Sequence, residues 1–268
     1  MPSSWLPQTL VLESDPVARS RCVAKTLLKE GATLLSVENF ANILLAKEKG
    51  NRCDACFRLA STGRDLKKCS GCRGYWYCDA QCNTQNPLSV FNFFGNSPSI
   101  SGQNLHWNLD HKRICRAYAS YVASADYQML LEHEKLDVLL LSHTVARFSP
   151  LPSLEPENDS PESIMTSLLP QAGSSVSAPP LCPIKPQPSQ DLINMLYSRF
   201  GNNNFVIHSH LSSIGHGVFP AASRLFNHSC VPNAVAKYVL SQGKPVVMQV
   251  VALRDIHPGE EVCHPVAA

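Results

Sequence analysis

The N-terminal part of the chain alternates short apolar runs with polar turns. Runs of β-branched and large apolar residues lie on both sides of a Glu30-Gly31 turn. Short runs of this kind, bounded by turn residues, are typical of strands. They predict a meander of short strands, at residues 21–24, 33–37 and 42–45. Residues 41–47 also fit a helix, and the pattern leaves that alternative open.

The middle of the chain has a different period. From about Ala117 to Phe148, apolar residues recur at helical spacing, which predicts two helices with a break near residue 125. Residues 149–190 are dense in proline, serine and acidic residues and show no sustained period. That composition predicts a linker or a surface loop.

Strand patterns return in the last third of the chain. Asp191 is expected to cap a short helix that ends at Phe200. From Phe205 the pattern changes to short strands, and residues around Gln242-Gly243 predict a hairpin. Strands at both ends and helices between them predict an α+β fold.

Seven cysteines and one histidine follow one another at short spacings in the middle of the chain. Three Cys pairs separated by two or three residues are followed by a His-x3-Cys pair. Structural zinc takes four thiolate or imidazole ligands, so eight such residues suffice for two ions. The alternative is that they are buried or reactive free cysteines. The expected ligands are Cys53, Cys56, Cys69, Cys72, Cys78, Cys82, His111 and Cys115.

A stretch rich in Phe, Ser, Asn and Gly interrupts these ligands at residues 87–103. It makes an unusually long loop for so small a module. Two interpretations stay open: an ordinary surface insertion, or translated intron sequence from a gene-model error.

Composition and charge restrict the kinds of partner and the location that we expect for this chain. The 268 residues carry a net charge of +2, so no overall field favours nucleic acid as a partner. A basic stretch at residues 64–68 fits a solvated surface. No apolar run is long enough to span a membrane, and the N-terminus lacks a signal-peptide layout. We therefore expect no membrane association, and a location in the nucleus, the cytoplasm or both, where cysteines stay reduced.

The cysteine pattern, together with Tyr77-Cys78 and His106-Trp107, resembles a MYND zinc finger. In that family the ligand pairs interleave. The resemblance implies one site of Cys53, Cys56, Cys78 and Cys82, and a second of Cys69, Cys72, His111 and Cys115. It also implies that the finger binds a proline-containing peptide of a partner protein. Residues 75–77, Tyr-Trp-Tyr, would either form an aromatic groove for that peptide or pack over the metal sites.

Residues 224–233, Arg-Leu-Phe-Asn-His-Ser-Cys-Val-Pro-Asn, resemble the signature of SET-domain methyltransferases. A SET domain split by a MYND finger is the arrangement of SMYD-type proteins. The implied fold is a small β-rich SET core split by the finger and a helical insertion. The implied units are the N-terminal part of the SET domain at 1–50, the finger at 51–116, the helical insertion at 117–148, the linker at 149–190 and the C-terminal SET part at 191–268.

This resemblance implies S-adenosylmethionine as cofactor and a lysine side chain of a protein as substrate, a histone being one candidate. Asn227 and His228 would contact the cofactor, with Asn204 as a further candidate. The alternative is that Asn227 and the residues after it only hydrogen-bond the turn together. Related enzymes place a zinc ligand at Cys230, but the remaining ligands are missing here, so we expect a buried thiol.

Two departures from the family pattern affect catalysis. A Gly-x-Gly near the cofactor appears here as Ala18-Arg19-Ser20, and no tyrosine follows Glu261-Val262. The SET domain therefore reads as truncated at its C-terminal end, and no catalytic residue is assigned. Two functions are expected as alternatives: a SMYD-type lysine methyltransferase, or a catalytically inactive zinc-binding interaction module on a degenerate SET scaffold.

Overall fold

The computed structural model describes residues 5–13, 20–60, 66–78, 111–148, 160–171 and 177–265. Along the chain, most helices in these residues come after an N-terminal group of strands and before a C-terminal group. The helices are α1 (Lys112–Val122), α2 (Ala125–Met129), α3 (Glu132–Phe148), α4 (Pro161–Ser167), α5 (Gln190–Phe200) and α6 (Pro220–Leu225), with a 3-10 turn at Ala46–Glu48. Within the same residues, no helix combines the length and the apolar character that crossing a bilayer requires.

The strands are short and are spread over several small sheets. They are β1 (Leu10–Glu13), β2 (Arg21–Ala24), β3 (Thr33–Glu38), β4 (Ala41–Leu44), β5 (Lys67–Lys68), β6 (Trp76–Tyr77), β7 (Asn204–Ser209), β8 (Ser212–Val218), β9 (Asn227–His228), β10 (Ala234–Val239), β11 (Val247–Ala252) and β12 (Cys263–His264). The mixed content agrees with the predicted α+β class.

Strands from the two ends of the chain pair with each other. β3 runs antiparallel to β11, with Val37 opposite Met248. β4 runs antiparallel to β8, with Ile43 opposite His216. Further bridges join Val23 to Glu261 and Leu28 to Ile256. One β-rich core is thus assembled from both ends, while the cysteine-rich segment and helices α1–α5 are inserted between its halves.

Apolar side chains from both ends fill this core. Leu35, Phe219 and Met248 are among its almost fully buried members. A second cluster joins the cysteine-rich segment to α1, α3 and α5, with Tyr75, Leu140 and Leu196 fully buried. Burial of such side chains supplies about 1.5–3 kcal/mol each. The two clusters therefore stabilise the inserted segments as well as the core.

Several predicted elements agree with the structure. The N-terminal strands lie at β2, β3 and β4, and the predicted hairpin is the antiparallel pair β10–β11 with Gly243 at φ +71° between them. The helical alternative for residues 41–47 is wrong, because Ala41–Leu44 form strand β4. The 3-10 turn at Ala46–Glu48 comes after that strand.

The helical segment differs from its prediction. Three helices replace the two expected over residues 117–148. The predicted break near residue 125 is present, where Ser124 caps α2 through a hydrogen bond from the backbone N–H of Tyr127, and a second break follows because Leu130 adopts an extended conformation. α1 also begins at Lys112, inside the segment assigned to the finger. Ser189, rather than Asp191, caps α5, which does end at Phe200. Asp191 lies in the first turn of that helix.

The described parts of 149–190 are not a loose linker. Helix α4 lies within this range, and its Ile164 and Met165 are buried. Cys182 and Ile184 are buried as well. Proline and serine lower the periodic signal on which the prediction depended, but they also supply a cap and a first-turn proline for α4. Residues 87–103, where the insertion is predicted, lie outside the described residues.

Candidate metal centres and candidate cofactor site

Four buried side chains converge between the β5–β6 hairpin and the start of α1. They form the His111 cluster: Cys69, Cys72, His111 and Cys115, whose ligand atoms all lie within 4.8 Å of one another. The Cys69–Cys115 sulfur separation is 3.6 Å, and His111 Nε2 lies 3.4 Å from the sulfur of Cys69. A tetrahedron with zinc–ligand distances of 2.0–2.3 Å has edges of roughly 3.3–3.8 Å. The cluster therefore has the size and donor set of a structural zinc site.

The acidity of these thiols fits the same interpretation. Hydrogen bonds from Cys72 and His111 lower the pKa of Cys69 to about 3, against the effect of burial. Burial and the neighbouring Cys69 raise the pKa of Cys115 to about 11. A divalent ion would stabilise all of these cysteines as thiolates, since zinc binds thiolates.

A second group, the Cys53 cluster, consists of Cys53, Cys56 and Cys78, again with sulfur atoms within 4.8 Å of one another. The sulfurs of Cys56 and Cys78 are 3.8 Å apart. Cys82, the predicted fourth ligand, lies outside the described residues. Cys78 of the third pair thus shares a cluster with the first Cys pair, and the second pair joins the His-x3-Cys pair. This grouping is the interleaved one that the family resemblance implied.

Tyr75 connects the His111 cluster to α3. Its ring lies on that of His111, with centroids 4.1 Å apart, and its hydroxyl is 2.7 Å from Nε2 of His143. Tyr75 and His143 are both fully buried. Close packing also requires Gly71, because a Cβ there would lie 2.6 Å from the sulfur of Cys115. The metal cluster is therefore held against the helical insertion by a buried polar contact.

Asp54 performs the corresponding role beside the Cys53 cluster. Its carboxylate is buried, accepts a hydrogen bond of 2.7 Å from the backbone N–H of Trp76 and pairs with Lys49. Burial raises the pKa of Asp54, and the Lys49 ammonium opposes that rise. The Asp54 carbonyl accepts a hydrogen bond of 3.1 Å from Asn42 in β4. Asp54 therefore joins the cysteine-rich segment to the β-rich core.

The three neighbouring aromatics divide between the two predicted roles. Tyr75 and Tyr77 are fully buried, and both rings lie near His111. Trp76 is partly exposed, with the Lys68 ammonium 5.2 Å from its ring centroid. Packing over the metal cluster thus accounts for Tyr75 and Tyr77. The prediction of an aromatic groove made by all three side chains is therefore wrong, and of the three only Trp76 is accessible.

The predicted cofactor residues lie where two distant segments cross. β9 pairs in parallel with β12, so Asn227 lies beside Cys263 and His228 beside His264. The amide of Asn227 donates to the Ser20 carbonyl at 3.0 Å and to the Glu261 carboxylate at 2.7 Å. Within the described residues, its amide oxygen accepts no hydrogen bond. The side chain is thus oriented by two partners, and one acceptor stays available to a ligand.

Asn233 does what the alternative reading of this turn predicted. It is buried, donates to the Glu261 carbonyl at 2.8 Å and accepts from the Cys263 backbone N–H at 2.9 Å. These bonds hold β12 against the turn that follows β9. Asn233 is therefore a structural residue, whereas Asn227 combines a structural contact with a free acceptor.

Asn204 lies apart from this pair. It begins β7, and its amide donates to Asp137 of α3 at 3.1 Å. Its amide oxygen is buried and finds no hydrogen-bond partner among the described residues. The next residue, Phe205, packs its ring 5.6 Å from that of His264. The structure therefore does not join Asn204 to Asn227 or His228 by a hydrogen bond, but it brings β7 to the same crossing.

Cys230 was expected to be a buried thiol, and that expectation is wrong. It is exposed, and its sulfur lies 3.5 Å from Nε2 of His228, which is also exposed. The turn after β9 projects into solvent, as the 86% exposure of Val231 shows. The buried thiols outside the metal clusters are instead Cys22 and Cys182.

Sequence reasoning missed the residues that orient the site residues. Glu261 belongs to a Gly-Glu-Glu motif, but nothing local to that motif indicates a bond to Asn227. Asp54 lies between the two cysteines of a Cys-x2-Cys pair. A charged residue at such a position, where burial is expected, was a signal available in the sequence. His143 stands in an apolar helical run, and a polar residue on such a face indicates a buried hydrogen bond.

Comparison with known proteins agrees with this geometry. The family model described as "SET domain" matches residues 22–265. The chain is similar to N-lysine methyltransferase SMYD2 of several vertebrates. It is 29% identical to the Homo sapiens protein over 253 residues, 25% identical to that of Bos taurus over 251 and 27% identical to that of Gallus gallus over 250. Each match covers 87% of this chain and 48% of the relative, so the chain spans about half the length of the curated relatives it matches.

Proposed function

The chain belongs to the SET-domain family and is of the SMYD type, and from that premise we propose that it is an S-adenosylmethionine-dependent protein-lysine N-methyltransferase. The observation that carries the proposal is the crossing of β9 and β12. There Ser20 and Glu261 orient the Asn227 side chain with one acceptor open. The relatives named as N-lysine methyltransferases support the same reaction class.

The crossing supplies groups suited to a cofactor that carries an amine, a carboxylate and an adenine. Asn227 Oδ1 would accept a hydrogen bond from the cofactor, and the exposed His228 ring would contact it. Asn204 would contribute its unpaired amide oxygen. When bound, S-adenosylmethionine supplies an electrophilic methyl group, and transfer requires a neutral lysine nitrogen aligned with it and shielded from water.

The two cysteine clusters are proposed to hold one zinc ion each, with Cys82 completing the Cys53 cluster. Because the His111 cluster contacts α3 through Tyr75, the metal would stabilise the helical insertion together with the finger. A proline-containing peptide is proposed to bind the finger at Trp76, the accessible aromatic. The proposed substrate is a lysine of a partner protein, a histone being one candidate, in the nucleus or the cytoplasm.

Calorimetric titration of the zinc-loaded protein with S-adenosylmethionine tests the cofactor site. Asn227→Ala should weaken binding by about fivefold or more, since losing a hydrogen bond at this half-buried side chain costs about 1–3 kcal/mol. Asn202→Ala changes an exposed amide outside the crossing and serves as the matched control. Equal affinity of the wild-type protein and the Asn227 variant for S-adenosylmethionine would mean that the cofactor does not bind at this crossing.

Methyl transfer is tested separately, with radiolabelled S-adenosylmethionine and purified histones as the acceptor probe. Incorporation that is lost in the Asn227→Ala variant supports the methyltransferase. Cofactor binding without transfer to any acceptor tested would favour the non-catalytic zinc-binding interaction module. Absence of both binding and transfer would refute the cofactor-dependent function.

A further inference from the structure

The segment of residues 177–188 contains five prolines and no regular secondary structure. Each proline fixes φ near −65° and restricts the residue before it to extended conformations. Pro179, Pro180 and Pro183 therefore direct most of residues 178–183 toward polyproline II geometry. That helix has three residues per turn, so residues three apart share an edge.

Burial follows that three-residue period over residues 177–184, and Lys185, exposed on the same edge as Cys182, ends it. Pro180 and Pro183 are exposed and share one edge. Leu181 and Ile184 share the next edge, and Ile184 is 6% exposed. Cys182, on the third edge, is 1% exposed. We name residues 179–185 the proline ridge. Two of its three prolines, Pro180 and Pro183, face solvent one turn apart, a rise of about 9 Å.

Hydrogen bonds hold the backbone of the ridge to the helices beneath it. The Tyr121 hydroxyl donates to the carbonyl of Pro180 at 2.8 Å. The Cys182 backbone N–H donates to the Ser142 hydroxyl at 3.1 Å, and that of Lys185 to the Arg113 carbonyl at 3.2 Å. The ridge is therefore held extended before any partner arrives, which lowers the entropic cost of binding.

Lys185 gives one end of the ridge a charge. Its side chain is exposed and forms no ion pair within the described residues. A surface cavity of about 720 Å³ opens along the same segment and is lined by it together with Gln190 and Ile193 of α5. The surface thus offers two proline rings, a neighbouring cavity and an unpaired cation in a fixed arrangement.

We propose that the proline ridge is a docking site for a partner module of the SH3 type. Such modules bind proline pairs spaced as Pro-x-x-Pro in a groove lined with aromatic side chains. A carboxylate at the end of the groove would pair with Lys185, whose exposed ammonium sets the orientation of the partner. The ridge lies outside the metal clusters and the β9–β12 crossing, so docking would recruit a partner without occupying either site.

A panel of purified SH3 domains, titrated against the intact zinc-loaded protein with fluorescence anisotropy, tests this proposal. At least one domain should bind. The double variant Pro180→Ala/Pro183→Ala should weaken that binding by about tenfold or more. Lys185→Glu should weaken it too, and more strongly at low salt than at high salt. Pro170→Ala removes an exposed proline outside the ridge and should leave binding unchanged.

Two further measurements make the outcome decisive. Circular dichroism and zinc content of the double variant should match those of the wild type, because both rings are exposed and the carbonyl at position 180 remains. A synthetic peptide of residues 177–188 should bind the same domain no more tightly than the protein does. The proposal is overturned if no SH3 domain binds, if the double variant binds as well as the wild type, or if the peptide binds and the protein does not.

Discussion

Replacing Tyr75 with phenylalanine should destabilise the contact between the His111 cluster and helix α3. The substitution keeps the ring that packs 4.1 Å from His111 and removes only the hydroxyl, which is 2.7 Å from Nε2 of His143. Tyr75 and His143 are both 0% exposed, so water cannot replace the lost partner. Tyr75→Phe therefore tests the hydrogen bond and leaves the aromatic packing in place.

The expected loss follows from the burial of both groups. A buried polar group that loses its hydrogen-bond partner costs about 1–3 kcal/mol. For a protein of this size, each kcal/mol corresponds to a shift in Tm of about 2–4 °C. We therefore expect Tyr75→Phe to lower the Tm by roughly 2–12 °C at saturating zinc.

Tyr118→Phe is the matched control. The Tyr118 ring packs edge-on against Tyr75 at 4.9 Å, and its hydroxyl makes no hydrogen bond within the described residues. Its removal should change the stability by less than about 0.5 kcal/mol. Both variants are measured by thermal unfolding followed by near-UV circular dichroism, with zinc release recorded in parallel by a chromophoric chelator.

A double-mutant cycle separates the hydrogen bond from other effects of the substitution. In a His143→Leu background the Tyr75–His143 hydrogen bond is already absent, so Tyr75→Phe should cost less than in the wild type. A coupling energy of about 1 kcal/mol or more is expected for residues in direct contact. The reasoning is refuted if Tyr75→Phe is as stable as Tyr118→Phe, or if its cost is the same with and without His143.

Three other substitutions have defined outcomes. Cys69→Ser should remove one of two zinc ions in elemental analysis of freshly purified protein. Burial and the neighbouring His208 lower the pKa of His216 from 6.5 to about 4, so stability is fully present above pH 6.5 and is lost as the pH falls toward 4. His216→Asn should remove that part of the pH dependence, at most about 3 kcal/mol, in urea unfolding at several pH values. Asn233→Ala should cost about 2–3 kcal/mol in urea unfolding, because it breaks the bonds that hold β12.

Each of these three predictions has a control variant and a result that would contradict it. Cys230→Ser removes an exposed thiol and should retain both ions, and two ions in the Cys69 variant would contradict the assigned cluster. His257→Asn changes an exposed imidazole, and an equal pH effect from it would exclude His216 as the source. Asn202→Ala should be neutral, and a neutral Asn233→Ala would mean that β12 is held by other contacts.

The candidate metal ligands could be predicted because the spacing that identifies them is local in the sequence. Short spacings between cysteines place two sulfurs beside one ion without help from the rest of the chain. Which pairs share a cluster cannot be predicted from local spacing, and the family resemblance supplied that grouping. The partners of those ligands were out of reach, since His143 lies 68 residues beyond Tyr75 and meets it only through the packing of α3.

The prediction for residues 149–190 missed helix α4 and the buried residues after it for a related reason. Periodicity identifies an amphipathic helix, but α4 is only seven residues long and too short to display a period. The burial of residues 177–184 follows a three-residue polyproline period, which helix and strand templates do not detect. The exposure of Cys230 could likewise not be predicted from the sequence, because it depends on the direction in which the turn after β9 projects. Thus local chemistry was predictable, and the burial of irregular segments was not.

The pairing of β3 with β11 also determines when the protein can fold during synthesis. Within the described residues β11 is the only strand paired with β3, and Val247 is translated about 200 residues after Glu38. At about 5–20 residues per second, roughly 10–40 s separate the two strands on the ribosome. During that interval the apolar β3 has an unpaired edge, a known route to aggregation. The cysteine–histidine clusters, complete by residue 115, can assemble well before the core that surrounds them closes.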